Sequence, residues 1–346
     1  MRISVLAGSG LALAGTLGPL RAQAPAPEVA AFFKDKQLRL VVGSAAGDGY
    51  DVNARLLAHH WVRHIPGNPS IIVQNQNGAA SVTMTNTLYN TAARDGTVIG
   101  APINGMTTAP LLTPDVVKFD LAKLIWIGST NRDTQITYLW HTAPVKSMAD
   151  LLTTEVVVGG SAPGTTQVDY PVVARALFGL KFKMVSGYPG TNPIHVAMER
   201  GEVAGMGANG WLSLKTLNTA WVQEKKVNII MQYGRDRNPE LADVPSIYEL
   251  AKSPADEQAM QLMTLKLQYG RPFFLPPDVP AARVEALRRS FDATLVDPAY
   301  RADAAKAKLD VSPLTGEETA KLVAEVLATP PEVVKRVRDA LEAGGK

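Results

Sequence analysis

Leu38-Arg39-Leu40-Val41-Val42-Gly43-Ser44-Ala45-Ala46-Gly47-Asp48-Gly49-Tyr50-Asp51-Val52-Asn53-Ala54-Arg55 opens as an apolar run of strand type, breaks into small residues and glycines, and closes on a helical pattern. Strand, tight turn and helix N-terminus are the parts of an anion cradle. Gly and Ala let the backbone come close to a ligand. The first N–H groups of the helix lack partners inside it and carry the positive end of its dipole. Asp51 stands where its carboxylate would cap one of those donors. An ordinary βα turn with a capped helix uses the same residues, so the stretch alone leaves both readings open. Nucleotide versions of the loop fail. A dinucleotide fingerprint counted from Gly47 and Gly49 needs a third glycine at position 52, which is Val52. A phosphate loop counted from Gly43 needs Gly-Lys at 48 and 49, where the chain has Asp48 and Gly49. The loop suits a small anion.

The same layout recurs outward from this stretch. Ile71-Ile72-Val73 is a second strand, followed by Asn75-Gln76-Asn77-Gly78-Ala79-Ala80 and a helical pattern over 82–93. Strands follow at 97–100, 124–128 and 136–140, and a helix is expected over 144–152. Val156-Val157-Val158-Gly159 runs into Gly160-Ser161-Ala162-Pro163-Gly164-Thr165-Thr166 and a helix to Leu180, repeating strand, small-residue loop and helix. Further strands fall at 183–185, 203–206 and 227–232. From Pro245 onward the chain reads as largely helical. Strands separated by helices mean βαβ units and mainly parallel sheets. Two such halves, each with Gly-rich loops at strand ends, suggest a two-lobed α/β clamp, because ligands of open α/β sheets sit at the carboxyl ends of the strands.

Composition narrows the function classes. A chain of 346 residues has room for two domains, and its net charge of +3 is too small to argue for nucleic acid. The absence of cysteine excludes a disulfide framework and a thiolate metal site. Residues 1–24 read as a secretory signal: Arg2, a short apolar stretch broken by four glycines and Pro19, then Ala22-Gln23-Ala24 as a small-x-small cleavage pattern. Removing them lowers the net charge to +1. No later run is apolar enough to span a bilayer. The mature protein is expected to be soluble and exported.

Enzyme signatures are weak. Gly159-Gly160-Ser161-Ala162-Pro163 misses the nucleophile elbow at its last position, and His195 comes too early to serve a hydrolase triad. His60 and His64 are spaced i, i+4 with His59 beside them, but no third metal ligand is evident, and a solvated helix end accounts for them. Trp126, Tyr138 and Trp140 fall in strand patterns and read as core. No catalytic or metal-binding residue and no cofactor is assigned.

Taken in order, several stretches resemble one family, the substrate receptors of tripartite tricarboxylate transporters, or Bug-type periplasmic binding proteins. Val41 to Arg55 is similar to the family's strand, small-residue loop and Gly-Gly-x-x-Asp helix start. Val73 to Ala80 resembles its Val-Glu-Asn-x-x-Gly-Ala segment, and Arg94-Asp95-Gly96-Thr97 its Pro-Asp-Gly-Tyr turn. Gly159 to Thr165 resembles its Ser-x-Gly-x-Gly loop, Tyr188-Pro189-Gly190 its Tyr-x-Gly segment, and Asp243-Val244-Pro245-Ser246 its Asp-Val-Pro-Thr.

The resemblance implies a type II periplasmic-binding-protein fold, an α/β molecule hinged between a lobe of 27–128 plus 235–346 and a lobe of 129–234. It implies a monomeric receptor in the periplasm that takes a small organic acid through backbone amides and hydroxyls. It also implies delivery to a transporter of one large and one small integral membrane subunit. Carried over by position, the ligand loops are Ser44, Ala45, Ala46, Gly47, Asp48, Gly49, Tyr50 and Asp51, then Asn77, Gly78 and Ala79. The opposed lobe contributes Ser161, Gly164, Thr165 and Thr166. Asn104 and Asn209 stand after strands. The family's proline-rich loop is Gly43-Ser44-Ala45-Ala46 here, Asp48 adds a negative charge and Tyr50 a ring. A ligand-sensing protein without a transporter remains the alternative.

Overall fold

The computed structural model describes residues 27–161 and 164–344. The expected signal, 1–24, lies outside the described residues. In chain order the first part runs α1 (Pro27–Phe33), β1 (Gln37–Val42), α2 (Gly49–Trp61), β2 (Ser70–Asn75), α3 (Val82–Thr91), β3 (Val98–Ala101), α4 (Ala109–Leu112) and β4 (Ile125–Ser129). The middle runs β5 (Gln135–Trp140), β6 (Val156–Gly159), α5 (Thr166–Phe178), β7 (Phe182–Val185), α6 (Thr191–Glu199), β8 (Gly205–Gly210), α7 (Trp211–Leu217), α8 (Thr219–Gln223) and β9 (Val227–Tyr233). The end is α9 (Pro254–Thr264), β10 (Pro272–Leu275), α10 (Ala281–Val296), α11 (Pro298–Lys306), β11 (Leu314–Thr315), α12 (Gly316–Leu327) and α13 (Pro331–Gly344).

Two sheets form, with orders β11-β4-β10-β3-β1-β2 and β7-β6-β8-β5-β9. β1 is parallel to β2 and β3, and β6 is parallel to β7 and β8, as βαβ units require. Both sheets are nevertheless mixed, because β10 and β11 run antiparallel in the first and β5 runs antiparallel to β8 and β9 in the second. The parallel strands place the loops after β1, β2 and β3 on one edge, and those after β6 and β7 on one edge of the other sheet.

The cores follow the apolar patterning. Leu38, Leu40 and Val42 of β1 are buried with Ala54, Leu57 and Trp61 of α2 and Phe273, Phe291 and Leu295 from the C-terminal part. In the second sheet's core, Val158, Tyr170 and Val173 pack with Met260 and Met263 of α9 and Val333, Val334 and Val337 of α13. The C-terminal helix therefore covers the second sheet, although the strands that precede it belong to the first.

Several boundaries differ from the sequence reading. The stretch 144–152 yields only a single 3-10 turn at Asp150–Leu152, anchored by the Asp150 carboxylate on the N–H groups of Lys146 and Ser147. The strand expected at 203–206 is β8 at Gly205–Gly210, so Asn209 lies in a strand. The region after Pro245 contains β10 and β11. Trp126 and Tyr138 are core residues, and Trp140 packs edge-on against Trp221.

Candidate functional site

The first loop folds around its own carboxylates. α2 begins at Gly49, and its cap is Asp48, not Asp51. Asp48 Oδ1 accepts from the N–H groups of Tyr50 (2.9 Å) and Asp51 (3.0 Å) and from Ser44 Oγ (2.8 Å). An extended Asp48 satisfies the backbone requirement of an N-cap, which Asp51, already helical, cannot. Asp51 is buried and points back into the loop, accepting from Gly47 N (2.7 Å), Arg55 Nε (3.0 Å) and Asn75 Nδ2 (2.8 Å). Burial raises its pKa, but these hydrogen bonds outweigh that and hold the carboxyl below its usual range. Three of the backbone donors offered by the cradle are thus taken within the loop.

Tyr50 joins this loop to the next elements. Its hydroxyl accepts from Asn104 N (3.4 Å), and Arg271 lies over its ring, 5.5 Å from the centroid, while donating to Gly49 O. Burial, against the pull of Arg271, pushes the phenol up to about 12, so it stays neutral. Asn104 donates in turn to Lys266 O (3.1 Å), tying the turn after β3 to the segment after α9.

The second loop is strained and pinned. Gly78 has φ +146°, and a Cβ there would lie 2.8 Å from Thr83 Oγ1, so any other residue would be strained and would crowd Thr83. Ala79, Ala80 and Ser81 follow with φ of 44°, 49° and 77°, three left-handed residues in succession. Ser81, fully buried, holds the turn by donating to Gly43 O (2.9 Å) and accepting from Ile103 N (2.8 Å), which links the loops after β1, β2 and β3. That clamp needs Gly43 bare, since a Cβ there would sit 2.2 Å from Ser81 Oγ. No side chain caps α3.

In the opposed sheet, Gly164 N donates to Asp169 Oδ1 (2.9 Å), Ser161 N donates to Gln167 Oε1 (3.1 Å), and Ser161 Oγ bonds Thr165 Oγ1 (3.2 Å). Thr166 Oγ1 reaches Gln135 Oε1 at 3.4 Å. Asn209 lies in the core of the second sheet, donating to Tyr138 Oη (3.1 Å), which also contacts His195 Nε2 (2.6 Å). His60 is buried, not part of a solvated helix end as expected, and pairs with Asp303 on α11, while His64, just past α2, pairs with Asp297, the cap of α11. Among the described residues, no group of three or more His, Asp or Glu is placed to hold a metal ion.

Between the two sheets lies a cavity of about 610 Å³. Ala79 and Ala80 of the second loop, Gly105 after β3, and Gly164 with α5 of the opposed sheet all line it, so strand-end loops of both sheets meet there. Of the residues expected from sequence, Ala79 and Gly164 reach this wall, whereas Ser44–Asp51, Asn77, Gly78, Asn104, Ser161, Thr165, Thr166 and Asn209 do not line it. The charged part of the lining was not anticipated: Lys266 after α9, Asp169 on α5, and Arg338 and Glu342 on α13. Burial lowers the Lys266 amine, opposed by Asp169, and burial raises the Asp169 carboxyl, opposed by the Gly164 N–H and Lys266. A lone lysine set between Leu265 and Leu267 was the available signal for the first of these.

A family described as the tripartite tricarboxylate transporter family receptor matches residues 54–339. A UPF0065 protein from the gbd 5′ region of Cupriavidus necator is 23% identical over 358 residues, with 96% of each chain covered. A TctC solute-binding protein from Polaromonas superposes with a TM-score of 0.70 at 18% identity, over 87% of this chain and 98% of that one. MatC from Rhodopseudomonas palustris, solved with malate, gives 0.59 at 18% identity over 88% and 99%, and an R. palustris protein solved with adipate gives 0.61 at 18% over 87% and 97%. The structural likenesses establish the two-lobed periplasmic-binding-protein fold, and the match over 54–339 spans most of the chain. This chain belongs to the tripartite tricarboxylate transporter receptor family.

Proposed function

We propose that the protein is a periplasmic solute receptor that captures a small carboxylate-bearing organic acid between its lobes and delivers it to a membrane transporter of one large and one small integral subunit. The observation that carries this reading is the cavity of about 610 Å³ where strand-end loops of two separate sheets face one another. Such a volume falls in the range of small-molecule sites, and a cleft between domains is a common place for them. Lobes of 27–128 plus 235–346 and 129–234, with α9 and α13 lent to the second sheet's core, would close on a ligand as a hinge. The malate and adipate held by two proteins of the same fold support an acid as ligand. No helix among the described residues is long and apolar enough to cross a membrane.

A thermal-shift screen of organic acids on the purified protein tests the reading. A ligand at 100 times its Kd adds about 2.7 kcal/mol of apparent stability, enough to raise Tm by several degrees. A screen of mono-, di- and tricarboxylates in which no acid raises Tm would contradict it.

A further inference from the structure

The interlobe cavity has a character that the receptor reading alone does not demand. Most of its wall is aliphatic: Val82, Met106, Leu112, Val168, Val172 and Met263 come from five different elements and converge on one space. Its charges are few. Two are cationic, Lys266 and Arg338, and two acidic, Asp169 and Glu342. Lys266 Nζ makes no hydrogen bond or ion pair among the described residues; the face of Tyr170 lies 5.5 Å from it, and the Asp169 carboxylate of the same lining attracts it without bonding it. Arg338 gives one terminal nitrogen to Leu111 O, but its Nε is buried without any hydrogen-bond partner. Lys266 and Arg338 are thus the cations that line the space an acid would enter, and charge-assisted hydrogen bonds to a carboxylate are the strong ones. The N-terminus of α3, with no side-chain cap, opens beside the same wall at Ala80 and Val82. By contrast, the 44–51 loop, where an acid was expected to be held, has Tyr50 N, Asp51 N and Gly47 N already bonded to Asp48 and Asp51.

We propose that this cavity binds an amphipathic monocarboxylate, its carboxylate taken by Lys266 and Arg338 and its hydrocarbon body laid against the aliphatic wall. The proposal rests on the receptor reading and names the ligand class. A small dicarboxylate such as malate fits it poorly. Away from Lys266 and Arg338 a second carboxylate would lie among Val, Met and Leu side chains and the hydroxyls of Thr108 and Thr113, which already donate to Gly105 O and Ala109 O, and a charge left unpaired there costs several kcal/mol. An alkyl chain removes that apolar wall from water instead.

The test is calorimetric titration of the purified protein with octanoate and with malate, repeated on Lys266→Met and Arg338→Gln. Octanoate should bind at least about tenfold more tightly than malate, and each substitution should weaken octanoate about tenfold or more. Malate binding tighter than octanoate, or octanoate affinity unchanged in both variants, overturns the assignment of ligand class while leaving a receptor for other acids standing. Failure of both acids together with a blank organic-acid screen would remove the receptor reading as well. Should either variant fail to fold, the comparison of the two acids on the unaltered protein still decides the class.

Discussion

At the scale of single residues, the charges near the first loop have found work inside the fold. Asp48 carries an extra negative charge into a loop read as an anion cradle, yet its carboxylate serves as the cap of α2. Asp48→Ala should therefore cost about 1 kcal/mol of stability in urea unfolding, and Asp48→Asn only a few tenths, because asparagine also caps. Neither change should alter affinity for an acid. A tenfold tightening in Asp48→Asn would instead place the charge against the ligand. His195 makes the second residue-scale case. Asn218 Nδ2 donates to its Nδ1 (3.1 Å), which leaves the proton on Nε2, facing Tyr138 Oη, while that hydroxyl donates to Met206 Sδ (2.9 Å). Burial depresses the His195 pKa to about 4, and a proton on Nδ1 would meet the Asn218 amide. A histidine whose folded pKa lies below its unfolded value of about 6.5 contributes stability above that value and loses it as pH falls through 4. Urea midpoints should accordingly fall from pH 6.5 to pH 4, and the fall should be shallower in His195→Gln. Parallel pH curves for the two proteins would refute the account of this network.

At the scale of elements, the turn at Gly78–Ser81 holds the cavity's first wall. Its three left-handed non-glycine residues persist because Ser81 Oγ satisfies Gly43 O and Ile103 N at once. Ser81→Ala leaves the buried Gly43 O and the half-buried Ile103 N without that partner and should cost about 2 kcal/mol in urea unfolding. A loss under about 0.5 kcal/mol would mean that the turn does not depend on this hydroxyl. The sequence made this layout readable as far as the alternation of strand, small-residue loop and helix, since that alternation is written in apolar periodicity and in glycine. It did not disclose β10. Phe273-Phe274-Leu275 is too short and too uniformly apolar to separate from a buried helix segment, and prolines flank it on both sides. Nor did it disclose Lys266 and Arg338 as cavity residues. Both lie in or beside stretches with ordinary helical patterning, and their position depends on α9 and α13 crossing to cover the second sheet, a long-range packing that no local spacing encodes. The helix start was misplaced for a local reason: Asp48 and Asp51 are both eligible caps, and only the backbone angle at Asp48 separates them.

At the scale of the whole molecule, the central claim is that one acid is held by both sheets at once. The loops after β2 and β3 supply one side of the cavity, α5 supplies the other, and α13 closes it from the chain's end. A ligand bound there couples elements that share no strand pairing. Amide hydrogen exchange follows each of these segments separately and reports local opening directly. The measurement is therefore exchange with and without a saturating acid that raises Tm. The account predicts slowed exchange together in 78–84, 104–113 and 164–172. Slowed exchange confined to the elements of one sheet would contradict it.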